Sequence, residues 1–112
     1  EIPEIRLPTT RSDVEHGWHL YMIRLKLDQL KKGRDEIAME LRQENIGTGV
    51  HFHGLHLHAY YREVLGTSPE QCPIATAASS EILSLPLHPQ LSDKNVHEVV
   101  SALKKVLIHA KR

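Results

Sequence analysis

A chain of 112 residues is one domain's worth, long enough for a modest core but short of a two-domain enzyme. Fourteen basic residues balance fourteen acidic ones, so no strong field draws nucleic acid or an anionic membrane. No apolar run approaches the roughly 20 residues of a bilayer span, and the apolar share of 40% is that of an ordinary soluble domain.

The first residues carry Pro3 and Pro8, which block a helix, and Thr9 to Asp13 reads as an exposed loop. A start at Glu1 rather than methionine, with those prolines, predicts a piece of a longer protein: residues 1–15 a linker from a missing large domain, residues 16–112 a C-terminal small domain. From Trp18 to Lys26 both alternating sets are largely apolar, which predicts a strand buried on both faces. Asp28 to Gly33 is charged and turn-like. A helix is expected over Arg34–Glu44, with Ile37 and Leu41 one turn apart on one face and Asn45 and Gly47 as its stop signals.

A short strand, Thr48–His53, is expected next, broken by Gly54, and Leu55–Gly66 suits a short helix. Pro69 and Pro73 bracket a loop holding Cys72. As the single cysteine it has no internal disulfide partner, which is compatible with a reducing cytoplasm. Ala75–Leu83 is alanine-rich and helix-prone, and Ser84–Leu87 fits a short extended segment, since Pro86 and Pro89 exclude a long central strand. The last helix is the clearest: Ser92 caps it, Asp93 opens it, and Val96, Val99, Val100, Leu103, Val106, Leu107 and Ala110 form its apolar stripe. This order predicts an α+β fold, helices packed on a small, mainly antiparallel sheet.

Nine histidines are the compositional oddity, and four of them, His51, His53, His56 and His58, fall in one short stretch. Converging imidazoles bind zinc, copper or nickel, but no cysteine pair or carboxylate completes a ligand set nearby, and unrelated rings are the blander reading. Cys72 as a nucleophile needs a positioned base that the sequence does not show. Gly47-Thr48-Gly49 lacks the lysine and spacing of a phosphate loop and reads as a helix-to-strand connection. Tyr60-Tyr61-Arg62 has the chemistry to stack on a ring or bind an anion, against plain packing of the tyrosines. Arg34-Asp35 reads either as a binding pair or as a solvated helix start. None of these supplies a complete reaction.

The order of motifs carries more. His16 to Arg24, then Arg34-Asp35, then Ile46 to Phe52, then His56 and Tyr60, then Ser84-Leu85-Pro86-Leu87 before the final helix resembles the C-terminal small domain of the DegT/DnrJ/EryC1/StrS aminotransferases. These are pyridoxal-phosphate enzymes that aminate nucleotide-linked keto sugars. Within that family, G-T-G-V-H-F followed by H-x-x-x-Y-Y-R-E is most similar to the branch that aminates a UDP-linked 4-keto-pentose for lipid A modification. The resemblance implies the small domain of a fold-type-I enzyme and a cytoplasmic homodimer. It implies that pyridoxal 5'-phosphate and its Schiff-base lysine belong to the missing large domain, so that this chain alone has no catalytic residue, binds no cofactor or metal and is inactive. Glutamate and a nucleotide sugar are the implied substrates, with His51 the leading substrate contact and His56 and Tyr60 substrate contacts or shapers of the loop. His53 and His58 are left as surface. Gly54 stands where many relatives have proline, which implies a more mobile loop, and Thr76 where many have glutamate. A sugar dehydratase of the same family, or a stand-alone histidine-rich module that binds metal or a partner, are the alternatives.

Overall fold

The computed structural model describes all 112 residues. Three strands, β1 (Ile5–Arg6), β2 (Tyr21–Leu25) and β3 (Ile82–Leu85), form an antiparallel sheet in that order. Its register sets Ile5 opposite Leu25 and Ile23 opposite Leu83. Four helices complete the α+β fold: α1 (Arg34–Gln43), α2 (Ala59–Leu65), α3 (Pro73–Glu81) and α4 (Asp93–Ala110).

The pleat divides the sheet into two faces. One carries Tyr21, Ile23, Leu25, Leu83 and Leu85 against α1 and α4. There Ile37 and Leu41 of α1 meet Leu103, Val106 and Leu107 of α4 in the one buried cluster. The other face carries Met22, Arg24, Ile82 and Ser84. β2 is therefore not buried on both faces: Ile23 and Leu25 are fully buried, but Met22 is 37% exposed. An apolar side chain on the second face misled the alternation rule.

Helix ends follow the expected chemistry. Ser92 Oγ accepts from Asn95 N–H at 3.2 Å, and Asn95 Oδ1 accepts from Ser92 N–H at 3.1 Å, closing a reciprocal cap on α4. At α1, Glu36 Oε2 reaches back to Gly33 N–H at 2.9 Å. Asn45 takes the left-handed conformation (φ 60°) just past the end of α1, and Gly66 does so (φ 63°) at the end of α2.

Three more sequence expectations are revised. β2 begins at Tyr21, not Trp18, because Trp18 sits at φ 44°, outside the extended region. Its N–H is held by His16 Nδ1 at 2.9 Å, and the two rings stack 4.0 Å apart. Thr48–His53 is not a strand: a single bridge from Gly49 to Ser84 continues the sheet beyond β3, and residues 51–54 run irregularly. Residues 1–17, which show no period, nevertheless supply β1, since two residues are too few for a pattern to register. Glu4 beside β1 is 6% exposed; its carbonyl accepts from Lys26 N–H at 2.8 Å and its carboxylate pairs with Lys111 at 2.9 Å.

Candidate functional site

The histidine loop, residues 49–58, is seated by hydroxyls. Gly49 exchanges two backbone hydrogen bonds with Ser84, at 2.8 and 3.1 Å, which lays the start of the loop along β3. The next ring then reaches the second face of the sheet, where His51 Nδ1 lies 2.9 Å from Ser84 Oγ. Three residues further along, Gly54 N–H donates to Ser79 Oγ at 2.7 Å. Then His56 Nε2 meets Thr76 Oγ1 at 2.7 Å, and Thr76 Oγ1 donates to the Pro69 carbonyl at 2.8 Å. Thr76 and Ser79 stand three residues apart on α3, so both hydroxyls share the helix face turned to the loop.

Close approach explains two glycines. A Cβ at Gly49 would stand 2.6 Å from His51 Cε1, and one at Gly54 would stand 2.8 Å from Ser79 Oγ and 2.9 Å from His56 Cε1. Gly54 is therefore a seated position, held by its own N–H, a bond that a proline there could not make.

Arg34 braces this platform. Its side chain is 13% exposed, and Nη1 donates to the carbonyls of Ser79 (3.4 Å) and Ile82 (3.3 Å), at the end of α3. A cation there favours the negative end of the helix and satisfies carbonyls that have no helical partner. The solvated helix start is thus overturned for Arg34, although its neighbour Asp35 is 83% exposed. Arg34, His53, Glu70 and Ser80 line an open cleft of about 550 Å³ beside Thr76 and Ser79. No lysine lines it. A hydrogen bond from Ser68 holds the Glu70 carboxyl below the usual carboxylate range.

The four histidines divide. His51 and His56 are half-buried and pinned to β3 and α3, whereas His53 and His58 are exposed and meet edge to face at 5.0 Å. No three histidine, cysteine or acidic side chains gather as a metal site. Tyr60 lies on α2, 64% exposed, edge-on to Tyr61, and shares no hydrogen bond with either pinned histidine. Cys72 is exposed. Every buried side-chain polar atom has a partner, so the ring nitrogens without one, His51 Nε2 and His56 Nδ1, reach solvent. As a seat, Ser79 escaped sequence reading, and Ser84 was read only as part of an extended motif; the one available signal for the helix face was the pair of hydroxyls Thr76 and Ser79, three apart in an alanine-rich segment.

Comparison with known proteins agrees with this architecture. The family model described as the DegT/DnrJ/EryC1/StrS aminotransferase family matches residues 1–104, and the chain belongs to that family. It is 38% identical over 110 residues to the spore coat polysaccharide biosynthesis protein SpsC of Bacillus subtilis, covering 96% of this chain and 28% of SpsC. An uncharacterized protein of Methanocaldococcus jannaschii is 41% identical over 100 residues, with 89% of this chain and 26% of that protein covered. Among solved structures, Spr1654 from Streptococcus pneumoniae, assigned as a sugar aminotransferase, superposes in its PMP form with a TM-score of 0.83 at 31% identity. That match covers 95% of this chain and 26% of Spr1654. DesV of S. venezuelae gives 0.75 at 30% identity, over 93% and 26%. The chain thus spans about a quarter of the length of the relatives it matches.

Proposed function

We propose that this chain is the small domain of a pyridoxal-phosphate-dependent aminotransferase that moves an amino group from glutamate to a nucleotide-linked keto sugar. One observation carries the site assignment. His51 is fixed to β3 through Ser84, yet its Nε2 has no partner within the chain and is not sealed from solvent, the arrangement of a ring built to touch something outside its own fold. SpsC's part in spore coat polysaccharide synthesis and the sugar aminotransferase assignment of Spr1654 support the sugar class. The branch acting on UDP-linked 4-keto-pentoses is the narrower reading, from the loop motif.

In the whole protein the cofactor would supply the electron sink from a large domain. What this chain supplies is position: His51 is placed to hydrogen-bond the sugar or the donor carboxylate. His56 and Tyr60 are weaker contacts on the same loop and on α2. Apolar side chains left in solvent, including Phe52 at 74% and Ile74 at 80% exposed, fit a surface that packs against the large domain or a second subunit of a homodimer. No helix is long and apolar enough to cross a membrane, which accords with a cytoplasmic enzyme.

The test is to express the parent protein and assay glutamate-dependent amination of a UDP-linked 4-keto-pentose, with the 112-residue chain alone as comparison. The reading expects amination by the parent and none by the chain. Release of a dehydrated sugar without glutamate consumption would place the parent among the family's dehydratases instead.

A further inference from the structure

We propose that Ser84 and Thr76 are positioning residues that hold His51 and His56 in the same Nε2–H tautomer while turning opposite edges of the two rings to solvent. The loop thereby offers one hydrogen-bond donor and one lone-pair acceptor.

For His56 the proton count decides. Thr76 Oγ1 lies 2.8 Å from the Pro69 carbonyl and 2.7 Å from His56 Nε2. A hydroxyl has one proton, and a carbonyl oxygen only accepts, so that proton belongs to Pro69. The contact with His56 then requires Nε2 to carry its own hydrogen and donate it to the Thr76 lone pair. In the neutral ring Nδ1 is left bare, and it reaches solvent.

For His51 burial decides. Ser84 is 4% exposed, and its hydroxyl has His51 Nδ1 as its side-chain partner. If Nδ1 carried the proton, the Ser84 hydroxyl hydrogen would be left without an acceptor inside the protein, which is costly. Ser84 therefore donates to Nδ1, and His51 presents Nε2–H outward.

The outward edges select a ligand class. Nε2–H of His51 donates to a carboxylate, phosphate or hydroxyl oxygen. Nδ1 of His56 accepts from a hydroxyl or ammonium and has nothing to offer an anion. A hydroxyl serves both, and so does an amino acid that offers its carboxylate to His51 and its ammonium to His56, so the pair suits a sugar ring or the amino-acid end of glutamate better than a lone carboxylate or phosphate. This consequence rests on the proposed substrate contacts of the two histidines; the tautomers themselves do not.

The experiment is a two-bond proton–nitrogen correlation on the 112-residue chain with ¹⁵N-labelled histidine rings, at about pH 8, where an unperturbed imidazole is neutral. Both rings are expected to show a protonated Nε2 and a bare Nδ1, with the His56 Nε2–H slow to exchange with water. Thr76→Val is expected to abolish that slow exchange and leave His51 unchanged, Thr76→Ser to keep it, and Ser84→Ala to return His51 alone to a mixture of tautomers. A protonated Nδ1 on either ring of the unaltered chain overturns the proposal, as does a slow His56 proton that survives Thr76→Val. If Thr76→Val does not fold, the unaltered chain and Thr76→Ser still decide. No substrate enters the experiment, so failure of the aminotransferase reading leaves its outcome untouched.

Discussion

His51 Nδ1 and Ser84 Oγ lie 2.9 Å apart, joining the histidine loop to the sheet face opposite the core. Ser84 also fixes the backbone of that loop two residues earlier, through Gly49. One β3 residue thus sets both the path of the chain and the direction of the ring.

That double hold makes Gly49 as consequential as Ser84. Gly49→Ala places a methyl group 2.6 Å from His51 Cε1, and the ring must leave Ser84 to relieve the clash. In the parent enzyme the variant is expected to lose about tenfold in kcat/KM, the worth of one well-placed hydrogen bond. Steady-state kinetics check the loss, and circular dichroism checks that the fold persists.

The core makes a separate claim on stability. Leu107 is 1% exposed at the centre of the contact between α4, α1 and the sheet. Leu107→Ala is expected to cost about 2–5 kcal/mol through lost burial and the cavity left behind. Ser92→Ala, which removes the cap of α4, is expected to cost about 1 kcal/mol. Urea unfolding of the chain measures both.

Glu4 gives a pH dependence. A hydrogen bond from Lys111 holds its carboxyl below the ordinary value of 4.5. A carboxylate depressed in the folded state contributes stability that is present above its unfolded pKa and lost as pH falls through the folded one. Glu4→Gln is therefore expected to lower Tm at pH 7, and the gap between variant and unaltered chain to close as pH drops below about 4. Thermal melts across that range report it.

Much of the fold was legible because it rests on period and punctuation. α4 announced itself by its apolar stripe and Ser92, and α1 by Ile37, Leu41 and the stop at Asn45. β1 was illegible because two residues carry no period, and the extent of β2 was misjudged because Trp18 is bent into the left-handed region by its contact with His16. At the candidate site, His51 and His56 were singled out by motif, but what seats them was not. Thr76, Ser79 and Ser84 lie 20, 25 and 33 residues from the loop residues they hold, and only the fold brings these hydroxyls under the loop. Arg34 was misjudged for the same reason, since the carbonyls it braces lie 45 and 48 residues away.

The central claim is that His51 reaches beyond this domain to a substrate. Its most direct test is kcat/KM for the proposed nucleotide sugar in the parent protein carrying His51→Ala, with Tm measured alongside. A loss of about tenfold or more, with Tm within a degree or two of the unaltered enzyme, is the predicted result. Unchanged kcat/KM in a folded variant would contradict it.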